Sequence, residues 1–171
     1  ESASLHAEEL NFSKSNFSAE GEDISWVLTR LRVKISRYPK WGETVTVQTF
    51  PRGARKITAY RDFAIFCGEE KIGVAASEWM VINLTTRKIV AVPEAVGACI
   101  NRQEAAVIEE PVFSRLKWQN DGLSSSVKLR SLKSHIDLNG HVNNVRYIEW
   151  LIEVMPEGVE RISDVEVVFK S

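Results

Sequence analysis

The feature that most constrains the fold is a series of strand-like runs between residues 26 and 92 that no helical pattern interrupts. β-Branched and aromatic residues, which favour strands, fill these runs. Turn signals rich in Gly, Pro and Asn separate them at residues 38–42, 51–53, 67–70 and 83–85. Because parallel strands need crossover helices between them, this order predicts an antiparallel meander.

The first run has the alternation of a half-buried strand. Its apolar and basic residues alternate: the apolar ones are Leu31, Val33 and Ile35, and the basic ones are Arg30, Arg32 and Lys34. Residues 72–82 form a longer apolar run, which predicts a central strand.

The clearest helical pattern lies in the last third of the chain, where apolar residues recur at helical spacing. They are Val145, Ile148, Leu151, Ile152 and Met155. Asn143 or Asn144 can cap the start of this helix, and Pro156 with Gly158 can end it.

The order of helix and then strands also opens the chain, because Leu5, Glu8, Glu9 and Leu10 fit a short helix. A strand pattern at residues 127–132 precedes the second helix, and another at residues 162–169 follows it. The arrangement therefore starts twice, which indicates a weak structural repeat with neither copy complete. The predicted division is a first repeat at residues 1–100, a linker at 101–125 and a second repeat at 126–171.

Composition excludes several classes of function. The 22 basic and 23 acidic side chains give a net charge of −1, so no overall field favours nucleic acid. No run is long and apolar enough for a membrane-spanning helix. The two cysteines are too few for a disulfide scaffold and lack zinc-site spacing.

Polar residues concentrate at residues 134–144, between a strand pattern and the second helix, and two of the three histidines lie there. A structural turn explains part of this, because Asp and Asn form Asx-turns and Asn-Gly favours positive φ. An EF-hand loop starting at Asp137 is excluded, since Val142 and Ile148 stand where Gly and Glu are needed. An iron triad of His135, Asp137 and His141 is a second alternative.

Metal-free hydrolysis is a third alternative. Asp137 can act as a base or an orienting carboxylate, His141 as a group that titrates near neutrality, and Asn139 as an amide that holds water or a carbonyl. The free N–H groups of a helix that begins at Asn143 or Asn144 suit a developing oxyanion. Together these groups supply the roles that acyl transfer needs.

Three stretches resemble one known family. DLNGHVNNVRYIEW at residues 137–150 resembles the D-x-N-x-H-V-N-N-x-x-Y-I signature of acyl-acyl carrier protein (acyl-ACP) thioesterases. WVLTRL at 26–31, and EWMVIN at 78–83 with TRK at 86–88, resemble the first half of the same family. The resemblance spans most of the chain.

The resemblance implies an α+β double hotdog fold, in which an antiparallel sheet wraps around a helix and the unit is repeated. The first repeat, without its opening strand, would bind the acyl chain, and the second, truncated repeat would carry catalysis. Asp137, Asn139 and His141 would be the catalytic set, with Asn143 and Asn144 at the oxyanion site. A further acidic residue of the family is expected beyond Ser171.

The implied enzyme hydrolyses fatty acyl-ACP to free fatty acid and carrier protein, which ends fatty acid synthesis, without a metal or other cofactor. Trp26, Leu31 and Trp79 are predicted to contact the acyl chain. A basic cluster is a candidate dock for the acidic carrier protein and its phosphopantetheine: Arg52, Arg55, Lys56 and Arg61. The alternative is a hotdog module that binds acyl thioesters without cleaving them.

The expected setting is the bacterial cytoplasm, with the plastid stroma as the alternative, and a homodimer is possible. A Val-rich strand at residues 162–169 without later partners would be an exposed edge. We therefore predict that it pairs with a strand of the first repeat or of a second subunit.

Overall fold

The computed structural model describes residues 2–13, 23–94, 96, 108, 112–114, 127–137, 140–155, 159 and 161–169. Its strands are β1 (Ile24–Ile35), β2 (Val45–Arg55), β3 (Thr58–Cys67), β4 (Glu70–Asn83), β5 (Ile89–Val90) and β6 (Asp164–Val168). Its helices are α1 (Ser2–Glu9), α2 (Asn144–Glu153) and a 3-10 turn at Lys133–His135. Both predicted helices are therefore confirmed, and none of the described helices is long and apolar enough to cross a membrane.

The described strands form one antiparallel sheet in the order β2-β3-β4-β1-β6, with β5 paired to β4. The predicted central strand is confirmed, because β4 pairs on both sides and buries Ile72, Ala76, Ser77 and Val81 almost completely. β6 pairs with β1, so the prediction that the last strand joins the first repeat is confirmed.

The two faces of this sheet differ in chemistry. Residues that lie directly opposite each other on antiparallel strands share a face. The charged face carries Arg30, Arg32, Tyr60, Asp62, Glu78, Asp164 and Glu166, and the apolar face carries Leu31, Val33, Trp79, Val165 and Val167. The alternation predicted for β1 is thus confirmed.

A β-bulge in β1 changes which residues share the apolar face. The register shifts between Leu28 and Arg30, so Trp26 opposes Val81 while Leu31 opposes Ser77. Strict alternation would put Trp26 and Leu31 on opposite faces, whereas the extra residue brings both to the same side.

Two local predictions were wrong. Residues 51–53 lie inside β2, where a bulge between Pro51 and Gly53 accommodates them, and the turn comes later, at Lys56. β2 is an edge strand of the sheet. An edge strand tolerates proline because its outer side forms no hydrogen bonds to a neighbouring strand. Residues 127–132 are not a strand, and among the described residues they have no ladder partner.

The chain divides into two compact units, Glu1–Ser114 with Ser163–Ser171, and Arg115–Ile162. The first unit contains the whole described sheet and α1. The second contains the 3-10 turn and α2, whose residues are all at least partly exposed, including Val145, Leu151 and Ile152. Most of the predicted linker at 101–125 lies outside the described residues.

Candidate active site

The polar segment of the second unit forms a tight loop. Ile136 and Val142 make an antiparallel bridge at its base. Inside the bridge, the Asp137 N–H donates to the His141 carbonyl at 2.8 Å, and the Gly140 N–H donates to the Asp137 carbonyl at 3.0 Å. Gly140 has φ +76°, a conformation that glycine adopts at little cost. The backbone therefore returns on itself within a few residues.

The loop brings Asp137 and His141 together. Oδ1 of Asp137 accepts a hydrogen bond from the backbone N–H of His141 at 3.2 Å. The carboxylate is half-buried and the His141 side chain is exposed. Two of the three predicted catalytic residues thus lie in one constrained loop, and the third, Asn139, lies outside the described residues.

Helix α2 begins directly after this loop, as the capping pattern predicts. Asn143 is the N-cap, and its Oδ1 accepts from the Val145 N–H at 3.0 Å. The Asn143 N–H donates to the His135 carbonyl at 2.9 Å, so that amide is already engaged. The Asn144 N–H, by contrast, has no acceptor within the described part of the chain. It belongs to the first turn of α2, at the positive end of the helix dipole.

His135 occupies the entrance to the loop in a way that sequence reasoning missed. Its Nδ1 accepts from the Leu132 N–H at 3.2 Å, and its ring meets Trp150 edge-on with centroids 5.7 Å apart. In the sequence, only the iron alternative used this residue.

The iron alternative finds no support in the geometry. In the described ranges, His, Cys, Asp and Glu side chains nowhere form a group of three that could hold a metal ion. His135 instead directs Nδ1 at a backbone amide.

The predicted acyl-chain residues belong to the first unit and share its apolar face. Trp26, Leu31 and Trp79 are all half-buried. The indole N–H of Trp26 donates to the Phe12 carbonyl at 2.7 Å, and that of Trp79 to the Ser77 hydroxyl at 2.7 Å. With both polar atoms satisfied, the rings can present apolar surface to a ligand.

The four predicted docking residues do not form one patch. Arg55 and Lys56 are exposed at the β2–β3 turn. Arg52 lies on the charged face, where it pairs with Asp62 at 3.1 Å and lies 5.1 Å from the Tyr60 ring centroid.

Arg61 lies apart from the other three. It projects from the apolar face, where its Nη1 lies 2.8 Å from His6 Nδ1 on α1 and 3.1 Å from the Thr49 hydroxyl. Burial lowers the pKa of Arg61. This side chain connects α1 to the sheet and is not presented to a partner on the charged face.

A cavity of about 370 Å³ opens on the charged face of the first unit. Its lining residues are Arg30, Arg52, Arg55, Tyr60, Glu78, Val112 and Phe113. Burial raises the pKa of Glu78, and the charges of Arg30 and Arg52 partly oppose that rise. Arg55 has no acidic partner among the residues that the structure describes.

Comparison with known families gives two matches along the chain. The model of the acyl-ACP thioesterase N-terminal domain matches residues 1–100, and the model of the C-terminal domain matches residues 117–169.

Curated plant proteins are similar to nearly the whole chain. An oleoyl-acyl carrier protein thioesterase, chloroplastic, of Coriandrum sativum is 30% identical over 182 residues, which cover 95% of this chain and 48% of that protein. A palmitoyl-acyl carrier protein thioesterase, chloroplastic, of Arabidopsis thaliana is 33% identical over 146 residues, covering 81% of this chain and 35% of that protein. The chain spans about half the length, or less, of these curated relatives.

Two solved structures share the fold. An acyl-ACP thioesterase from Bacteroides thetaiotaomicron matches with a TM-score of 0.83 and 32% identity, covering 99% of this chain and 68% of that one. A 12:0-ACP thioesterase from Umbellularia californica matches with a TM-score of 0.83 and 23% identity, covering 98% and 70%. These likenesses confirm the predicted hotdog-type antiparallel fold.

Proposed function

Because the chain belongs to the acyl-ACP thioesterase family, we propose that the protein hydrolyses the thioester between a fatty acyl chain and acyl carrier protein. One observation carries the proposal: a closed loop holds Asp137 and His141 directly before the N-terminus of α2. An acidic group, an imidazole and backbone N–H donors are the groups that acyl transfer needs.

In the proposed reaction, a water oxygen attacks the thioester carbonyl carbon. Asp137 orients the site, and His141 with Asn139 positions the water or polarises the carbonyl. The oxyanion of the tetrahedral intermediate lies at the N-terminus of α2, where the Asn144 N–H is the available donor. The C–S bond then breaks, the water proton goes to the sulfur, and the products are a free fatty acid and the carrier thiol.

We propose the same division of labour as the sequence predicts, with residues 1–100 binding the acyl chain, residues 101–125 as a linker and residues 126–171 carrying catalysis. The shared apolar face of Trp26, Leu31 and Trp79 supports the first part. An apolar surface of this kind suits an alkyl chain, because transfer of the chain out of water lowers its free energy.

For the carrier protein, we propose that Arg55 and Lys56 form the dock, together with the arginine-lined cavity beside them. Both side chains are exposed, and the cavity adds the guanidinium groups of Arg30 and Arg52. Guanidinium groups form paired hydrogen bonds with phosphate and carboxylate groups, which are the groups of an acidic carrier and its phosphopantetheine. The position of Arg61 on the other face does not support a part for it in this dock.

Reversing both charges tests the dock. Arg55→Glu with Lys56→Glu in the full-length protein is expected to raise KM for acyl-ACP about tenfold and to leave kcat within about twofold, because exposed charges mainly steer association. Lys71→Glu is the control, since Lys71 is exposed on β4 next to the β3–β4 turn, at the other end of the sheet. Equal KM values for the double variant and this control would refute the dock.

The function itself is tested by incubating the purified full-length protein with palmitoyl-ACP and oleoyl-ACP. The expected result is multiple turnovers, seen as free fatty acid by mass spectrometry and as free carrier thiol. Tight binding of acyl-ACP without release of fatty acid would instead establish the non-catalytic binding module.

The plant relatives are chloroplastic by name, which supports the plastid stroma as the compartment. The bacterial cytoplasm and the homodimer stay predictions.

A further inference from the structure

The side chain of His135 makes two contacts that the proposed chemistry does not use. Nδ1 accepts from the Leu132 N–H at 3.2 Å, which closes the 3-10 turn before the loop. The ring meets Trp150 of α2 edge-on, with centroids 5.7 Å apart and planes at 63°.

The backbone of His135 reinforces both contacts. Its N–H donates to the Leu132 carbonyl at 3.0 Å, and its carbonyl accepts from the Asn143 N–H at 2.9 Å. The first bond belongs to the turn that precedes the loop, and the second reaches the N-cap of the helix that follows it. His135 therefore joins the two ends of the loop that contains Asp137 and His141.

Asp137 follows this link closely in the chain. Asp137 comes two residues after His135, with only Ile136 between them, so a rotation of the 3-10 turn would move the carboxylate directly. Trp150 also meets Tyr147 of α2 edge-on, with ring centroids 5.5 Å apart, so the ring of His135 adds to an aromatic pair on the helix.

We propose that His135 is a positioning residue, whose side chain fixes the 3-10 turn against α2 and so holds Asp137 and His141 in the geometry for thioester hydrolysis. The proposal rests on the hydrolase function above. His135 touches neither substrate nor water in this role.

Three substitutions in the full-length protein separate the two contacts. His135→Ala removes both. His135→Asn keeps an acceptor at the place of Nδ1 but loses the ring, and His135→Phe keeps the ring against Trp150 but loses the acceptor. Ser134→Ala is the matched control, because Ser134 is an exposed neighbour in the same turn. The readouts are kcat, KM for acyl-ACP and hydrogen exchange of the Asn143 N–H, with circular dichroism to establish folding.

For His135→Ala we expect kcat to fall about 10- to 100-fold with KM within about twofold, since small misplacements of reacting groups carry such costs. We also expect faster exchange of the Asn143 N–H, recovery of kcat in at least one of the Asn and Phe variants, and parental values for Ser134→Ala. A folded His135→Ala protein with parental kcat, or with reduced kcat but unchanged exchange, would overturn the proposal, as would no recovery in either variant.

Failure of the underlying function looks different. If the parent protein releases no fatty acid, the hydrolase assignment fails, and hydrogen exchange alone decides whether His135 orders the loop. Unchanged exchange in His135→Ala then overturns the positioning role as well, and faster exchange supports it.

Discussion

Asp137→Asn in the full-length protein is expected to lower kcat for acyl-ACP hydrolysis about 100- to 1,000-fold, because it removes the carboxylate charge that orients the site. The amide oxygen of Asn can still accept the His141 N–H, which lies 3.2 Å from Oδ1 of Asp137, so the loop should keep its shape. The substitution therefore removes charge and basicity at nearly constant geometry. Turnover assays on acyl-ACP, with unfolding curves for each variant, measure the effect.

His141→Ala is expected to lower kcat by a similar factor, because it removes the imidazole. The loop should keep its shape, since only backbone atoms of His141 contribute to the loop hydrogen bonds that the structure records. Glu149→Gln is the matched control: it removes a negative charge from α2, where Glu149 pairs with Arg146 at 2.6 Å, its one ion pair among the described residues, and kcat should stay within about twofold. Normal turnover in both Asp137→Asn and His141→Ala would show that the site is assigned wrongly.

The largest effect on stability is expected from Glu166→Ala. Glu166 is 9% exposed and pairs with Arg30 at 2.6 Å, while its other oxygen accepts from the Ser114 N–H at 3.0 Å and the Ser114 hydroxyl at 2.5 Å. One carboxylate thus joins β6, β1 and the segment at residue 114. Truncation leaves Arg30 without its acidic partner, and removal of one partner from a buried pair costs about 3–5 kcal/mol.

Because the Arg30 side chain keeps 24% exposure, we expect Glu166→Ala to lower the free energy of unfolding by about 2–3 kcal/mol, as measured by urea unfolding. Glu70→Ala is the matched control, since the Arg37–Glu70 pair is exposed and Arg37 keeps Glu43 as a partner, so its cost should be below about 1 kcal/mol. Equal losses in the two variants would contradict the assignment of Glu166 as the central contact.

The same contacts predict how stability depends on pH. Burial raises the pKa of Glu166, but hydrogen bonds from Ser114 and Arg30 outweigh burial and leave the pKa below its ordinary value. The hydrogen bond from Arg32 lowers the pKa of Asp164. Groups with a depressed folded-state pKa stabilise the fold above their unfolded-state pKa. The free energy of unfolding should therefore fall progressively as the pH drops below about 4. The fall should be smaller in Glu166→Ala, which lacks one of the two carboxylates.

Patterns local in the chain were sufficient for β1, β2, β3, β4 and β6, for the central position of β4 and for the start of α2 at an asparagine cap, but they also predicted a strand at residues 127–132 that does not form. Each depends on near neighbours: alternation of side chains, a run of apolar residues, or an Asn whose oxygen reaches an amide two residues on. The loop at residues 136–142 was also predictable as a concentration of polar residues before that helix. Its resemblance to a family signature identified the candidate chemistry.

Only the tertiary structure decided which residues meet. The bulge in β1 puts Trp26 on the face of Leu31, and Pro51 continues an edge strand, because pairing with β4 and β3 sets the register. Likewise, Arg61 was predicted beside Arg52, yet cross-strand pairing sends it to the other face, against His6. The contact of His135 with Trp150 depends on how the loop returns to the helix. Such contacts join residues distant in the chain, whose proximity depends on hydrogen-bond register and packing that no local pattern contains.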